Sequence, residues 1–166
     1  MRHISESYPG DVALSMIQFP TPYKFQYDEN EELSSSVAKN GSNSQLPSSS
    51  ASDNFMVSEN LVKQIYNMLS ENNGKLLIQS NCEDVSVYMR NLARKAGFRS
   101  IPFADSVKEL DAVTERAKKW VECGGERPIG KYWSANSLLP QKGRTETEVA
   151  CSIDNKPVHR CLLTAA

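Results

Sequence analysis

The spacing of apolar and polar positions changes along this chain, and the changes mark its elements. Asp11 to Phe19 is almost continuously apolar and stops at Pro20-Thr21-Pro22-Tyr23, the pattern of a buried strand running into a rigid loop. The two prolines leave few backbone donors and fix the loop's direction, which suits either a ligand-facing loop or an ordinary strand exit. From Phe55 the period becomes helical. Ser58 reads as an N-cap and Leu61, Val62, Ile65, Met68 and Leu69 form an apolar stripe, closed by Asn72-Asn73-Gly74. Lys75 to Gln79 is a second short buried strand ending at Ser80-Asn81, and Glu83 to Lys95 a second helix ending at Ala96-Gly97. Phe98 to Ala104 reads as a strand and Ser106 to Glu122 as a charged helix, while Cys123 to Gly130 is a turn-rich connector. Arg144 to Ser152 suits one or two helical turns, Asp154-Asn155 a turn, and Val158 to Leu163 a strand with Pro157 at its first position. Alternating short strands and helices predict an α/β fold: a parallel sheet flanked by helices, with ligands beyond the carboxyl ends of the strands.

One stretch breaks the pattern. Residues 28 to 54 begin with Asp-Glu-Asn-Glu-Glu and continue rich in Ser, Asn, Gly and Ala, so they hold little apolar surface to offset the entropy of ordering. They read as a disordered insertion between a first segment, 1–27, and the main body of one domain, 55–166. Such an insertion is tolerable because closure cost grows slowly with loop length.

With 166 residues the chain can hold one domain with a real core. A formal net charge of −1 and a pI near 6.1 exclude a strongly basic protein and leave room for a local basic patch. The four cysteines, Cys82, Cys123, Cys151 and Cys161, have no paired spacing, and only His3 and His159 accompany them. No metal site is expected, and reduced thiols in an intracellular setting are. The polar start and the absence of any long apolar run predict neither a secretory leader nor a membrane span.

Candidate chemistry gathers at a few points. Thr145 and Glu148 are three apart and project from one helix face, presenting a hydroxyl beside a carboxylate. The same pair is also the signature of a capping box, with Glu148 reaching back to the N-cap backbone. Lys131-Tyr132-Trp133 sets a cation beside two aromatics, suiting a base-stacking platform or core and lid packing. Gly124-Gly125 lacks the Lys-Ser/Thr of a phosphate loop and reads as a turn.

Taken in order, four stretches resemble the carboxyl-terminal half of the tRNA (guanine-N7-)-methyltransferase family. Phe19-Pro20-Thr21-Pro22-Tyr23 is similar to the family's Phe-Pro-Asp-Pro-Trp loop, and Phe55 to Gly74 to the segment that follows it. Leu76 to Met89 resembles the family's strand ending in Thr-Asp and the next helix. Arg144 to Leu163 resembles its Thr-x-x-Glu helix, Lys-Pro turn and final Val-Tyr-Arg strand, with Trp133 and Asn136 leading in as Trp-x-x-Asn.

The resemblance implies part of a Rossmann-like, S-adenosylmethionine-dependent methyltransferase fold that transfers a methyl group to guanine N7 in tRNA. Guanine N7 is already nucleophilic and carries no proton, so the transfer needs alignment more than a general base. Glu148 and Thr145 would hold the guanine edge with Asn81, and Lys24 would contact tRNA phosphate. Thr21 stands at the family's catalytic Asp position, and Phe19, Pro20 and Thr21 would touch the cofactor. Both Thr21 and Asn81 replace family aspartates, keeping a hydrogen-bonding group and losing a charge. Lys24 sits one place before the family's lysine, with Phe25 in the matching position. No glycine-rich turn precedes Asp11, so a fragment is expected that needs a protein subunit or an N-terminal half to complete the cofactor pocket. The other expectation is a non-catalytic tRNA- or protein-binding module. Neither DNA nor a membrane is expected as a partner.

Overall fold

The structure, a computed structural model, describes residues 10–20, 55–109, 118, 121–122 and 124–166. Its first strand, β1, is Leu14–Gln18. Helix α1 (Glu59–Ser70) follows, started by Ser58, whose hydroxyl accepts from the Leu61 amide at 3.2 Å. Val62, Ile65 and Leu69 bury one face of α1, as the helical stripe requires. Asn73 takes a positive φ of 52° and the Gly74 amide returns to the Leu69 carbonyl, turning the chain into β2 (Lys75–Ser80).

Helix α2 (Glu83–Ala96) ends at Gly97, whose φ of 118° is a left-handed cap, and the Phe98 amide closes the last turn on the Ala93 carbonyl. Then come β3 (Arg99–Ser100), β4 (Ser106–Val107) and β5 (Gly130–Ser134). A 3-10 turn (Gln141–Gly143), α3 (Glu146–Ile153) and β6 (His159–Thr164) complete the order.

The architecture is a mixed α/β sheet. Its strand order is β1-β2-β6-β5-β4, with β3 also against β6. Only β1 and β2 are parallel; β6 inserts antiparallel beside β2, and the remaining pairs are antiparallel too. This corrects the expectation of a parallel sheet. The short segment from α3 to β6 returns the chain directly beside β2 with no crossover helix, and an antiparallel neighbour needs none.

Two further expectations fail locally. Phe98 to Ala104 forms only a two-residue strand: the Ile101 amide still bonds to the Leu162 carbonyl, but Pro102 has no amide to continue the ladder, and farther along β6 the pairing passes to β5 at Ser134. Ser106 and Val107 are strand, not the start of a helix, since they pair with Ser134 and Gly130. Lys108 and Glu109 are neither helix nor strand, Lys118, Val121 and Glu122 are helical, and the remaining positions of that predicted helix lie outside the described residues, as does the insertion at 28–54.

Helices α1 and α2 cover one face of the sheet. Leu76 and Ile78 of β2 and Cys161 and Leu163 of β6 join Val62, Ile65, Leu69, Val85, Met89 and Ala93 in one core. Trp133 lies in the same core with no exposure and the Arg90 guanidinium 5.3 Å from its ring centroid, so it is core packing and no base platform. Tyr132 alternates outward, with the Lys131 ammonium 5.0 Å from its ring centroid. The other face carries Leu77 and Leu162, and there the expected burial of β1 fails: Leu14 and Met16 are about half exposed.

Among the described residues no helix is long and apolar enough to cross a membrane.

Candidate functional site

Register across the sheet builds a row of polar side chains near the carboxyl ends of β1 and β2. Gln18 pairs with Gln79, Gln79 with Arg160, Arg160 with Ser134, and Ser134 with Ser106. Registered partners point to the same side of a sheet, so the polar side chains of this row share one face. Helix α3 brings Glu148 onto that row.

Two strands, β2 and β6, bond to the Glu148 carboxylate of α3, which is only 2% exposed. Arg160 donates to its Oε1 from Nε at 3.2 Å and from Nη2 at 2.9 Å. Gln79 Nε2 donates to Oε2 at 3.4 Å and to Gln18 Oε1 at 2.7 Å. Burial pushes the Glu148 pKa up, but the Ser137 hydrogen bond, the Arg160 charge and hydrogen bond, and the Gln79 bond together hold it below the ordinary value. Glu148 is therefore an ionised, well-partnered carboxylate. Gln79 is fully buried, and its Oε1 has no partner.

Half of the capping box forms. Thr145 is the N-cap of α3 and its Oγ1 accepts from the Glu148 amide at 3.2 Å. The Glu148 side chain does not reach back to the Thr145 amide; it turns to Arg160, because a buried carboxylate gains more from a guanidinium than from one amide.

Thr145 itself is half-buried, so its hydroxyl keeps a hydrogen to donate outward. Asn81, exposed just beyond β2, accepts a weak contact from the Cys82 thiol at 3.6 Å. Phe19 and buried Pro20 follow β1. The Phe19 amide donates to the Gln79 carbonyl at 2.8 Å, and its φ of 47° is a strained conformation for an aromatic residue. Thr21 and Lys24 lie outside the described residues.

Thus Thr145 and Glu148 share one helix end, Glu148 is joined through Gln79 to β1, and Phe19 and Asn81 lie at the adjacent strand ends. Sequence reading missed Gln18, Gln79, Ser137 and Arg160. The available signal was polar residues at registered positions of otherwise apolar strands.

A second buried polar group lies on the helix-covered face. His159, 1% exposed, has no partner for Nε2, and burial pushes its pKa down to about 4 despite the nearby Glu83 and Asp84 carboxylates. Glu83 is held by Arg127 at 2.8 Å and 3.1 Å. No group of His, Cys, Asp and Glu suited to a metal ion occurs among the described residues.

An open cleft of about 440 Å³ lies at the other end of β1 and β2, lined in part by Leu14, Leu77, Leu138, Leu139 and Leu162. It is separate from the Glu148 row.

No family model, curated protein or solved structure matches the chain.

Proposed function

We propose that this chain is the guanine-recognising part of a tRNA (guanine-N7-)-methyltransferase-like protein. The observation that supports the reading is the connection of separated motifs at one end of the sheet: Gln79 bonds to both Gln18, just before Phe19-Pro20, and Glu148, beside Thr145. Segments distant in sequence are thereby held together where α/β sheets carry ligands. The resemblance assigns its guanine-edge groups to those same segments.

Chemically, the protein's contribution is acceptance and alignment. Guanine presents N1–H and N2–H₂ as donors, and Glu148 Oε2, which takes no bond from Arg160 and only a long one from Gln79, could accept them once the Ser137 hydrogen bond is displaced. Half-buried Thr145 and exposed Asn81 add hydrogen-bonding groups at the rim. Arg160 balances the Glu148 charge, so Glu148 works here as an oriented acceptor more than as a source of net negative field. Because Glu148 is covered, binding requires the Ser137 side to open.

S-adenosylmethionine would supply the methyl group, but the described residues do not fit it by themselves. No glycine-rich turn follows a described strand, and β1 ends in Gln18-Phe19-Pro20 with no acidic side chain for a ribose. The methyl-donor pocket therefore belongs to another segment or subunit in this reading. No step through the cofactor is assigned to these residues.

A second reading, a tRNA- or protein-binding module without catalysis, is favoured by one observation: Glu148 is already neutralised and sealed by Arg160. The deciding experiment incubates the chain with tRNA and labelled S-adenosylmethionine, alone and with any polypeptide that co-purifies with it, then separates the digested nucleosides. N7-methylguanosine that disappears in Glu148→Gln supports the enzyme. Binding of tRNA without transfer in either mixture selects the second reading, and neither binding nor transfer refutes the tRNA proposal.

A further inference from the structure

We propose that residues 124–127 form an acid-released clasp on α2, closed over His159 at neutral pH and opened when His159 takes up a proton. The inference does not depend on the function proposed above. Two consecutive side chains of the clasp reach α2 with opposite charges. Arg127 forks onto Glu83, from Nε to Oε2 at 3.1 Å and from Nη2 to Oε1 at 2.8 Å. Glu126 Oε2 accepts from Arg90 Nη2 at 2.6 Å. Glu83 and Arg90 stand two turns apart on one face of α2, so each charge of Glu126-Arg127 meets its opposite on the helix. Backbone bonds tie the stretch only to itself and its neighbours: the Gly124 amide to the Val121 carbonyl, and the Ile129 amide to the Arg127 carbonyl. Pro128, the next residue, is buried and serves as the pivot.

His159 lies beneath the start of α2. Register sets it opposite Ser80, just before the helix begins at Glu83, and only 1% of it is exposed. The charged groups around it, among the described residues, are Glu83 and Asp84 of α2, Arg127 of the clasp and Arg160 of its own strand. Burial is the main obstacle to a proton on the closed imidazole, and the two guanidinium groups add to it. Glu83, the carboxylate that favours the proton most, is already held in the Arg127 fork.

Lifting the clasp reverses each of these effects. Water reaches the ring, Arg127 withdraws, and Glu83 becomes available to the imidazolium. The fork is the pair that must break, since Glu83 is 8% and Arg127 22% exposed, whereas Glu126 is 55% exposed and its bond is weakened by solvent. Closed, the ring takes a proton at about 4; opened to water it does so toward 6.5. Between these values the open form carries the proton, so the ratio of open to closed rises by up to about tenfold for each unit of falling pH.

Hydrogen exchange of the Arg127 Nε–H, the donor to Glu83 Oε2, reports opening directly in the full chain with isotopically labelled arginine. Its rate is compared at each pH with that of the same group in an unfolded peptide. Protection should fall by up to about tenfold per pH unit between 6.5 and about 4, while the backbone amides of β2 stay far more protected, because the opening is local. His159→Gln should lose that slope. Arg127→Ala gives the converse test: with the fork removed, the ring protons of His159 should titrate well above 4 in the folded chain, and this decides the matter if His159→Gln does not fold. A slope that survives in His159→Gln, an Arg127 group that loses protection only together with β2, or a His159 titration still near 4 in Arg127→Ala would overturn the proposal.

Discussion

Replacing Glu148 by alanine separates a buried strut from a simple helix cap. A lost cap costs about 1 kcal/mol, but the cap bond here runs from the Thr145 hydroxyl to the Glu148 amide, which alanine keeps. What alanine removes is one partner of a covered ion pair, whose loss costs about 3–5 kcal/mol. Arg160 retains 12% side-chain exposure and a bond to the Val158 carbonyl at 3.1 Å, so the lower end, about 3 kcal/mol, is expected. For a chain of this size that corresponds to a melting temperature lower by roughly 10 °C.

Urea denaturation measures it, with Glu148→Ala, Arg160→Met and the double variant forming a cycle. The double variant should recover part of the loss, because an unpaired guanidinium is then no longer buried, giving a coupling above about 1 kcal/mol. A cost below about 1 kcal/mol for Glu148→Ala, with coupling within about 0.5 kcal/mol of zero, would refute the ion pair as a structural element. The pH dependence carries a sign as well. The folded pKa of Glu148 lies below its ordinary 4.5, so its contribution is present above 4.5 and is lost as pH falls through the folded value. Glu148→Gln should remove that acid-side loss.

His159 predicts a second acid limb, at higher pH. Its folded pKa of about 4 lies below the ordinary 6.5, so the unfolded chain takes up the proton first and stability falls as pH drops from 6.5 toward 4. The loss has an upper bound of about 3 kcal/mol, and urea titrations of His159→Gln should show a flatter profile over that window. Gly97→Ala should cost more than about 1 kcal/mol, because its φ is 118° and a Cβ would stand 2.8 Å from the Tyr66 ring. Gly124→Ala, at φ 79° with open space around it, should cost less in the same melting assay, as backbone strain acts there without a clash. Ser58→Ala should cost about 1 kcal/mol by leaving the Leu61 amide without its hydroxyl acceptor.

Local signals in the sequence were legible where the chain itself decides its conformation. Ser58 starts α1, Gly97 ends α2, and the stripe of Val62, Ile65 and Leu69 faces inward as its spacing requires. Strand β2 could be read from Lys75 to Gln79 because its burial is complete on both faces beyond the first residue. Partner choice was not legible. Nothing local to Ser106 and Val107 distinguishes a helix start from a two-residue strand; Ser134 and Gly130 decide it. The direction of β6 was similarly invisible, since a short run of alternating burial fits either orientation. At the site, Thr145 and Glu148 could be paired by helical spacing, whereas Arg160 required knowledge of the register that brings β6 under α3.

The Glu148 geometry changes what recognition at this site would demand. An exposed carboxylate could accept a guanine edge at once, but this one already receives two bonds from Arg160, one from Gln79 and one from Ser137. Its Oε1 is committed to the Arg160 fork, which leaves Oε2 as the oxygen a ligand could reach. A ligand with adjacent donors would therefore have to open the cover and use Oε2 without breaking the Arg160 fork, because a charge stranded beneath the surface costs more than a neutral hydrogen bond returns. Gln79 is placed to ease that exchange. Its buried Oε1 lacks a donor, a cost of about 1–3 kcal/mol in the closed state that a second ligand donor would relieve. Guanosine, with N1–H and N2–H₂, should then be favoured over inosine, which lacks the amino group, and Gln79→Leu should erase that preference while leaving the Glu148–Arg160 coupling in place.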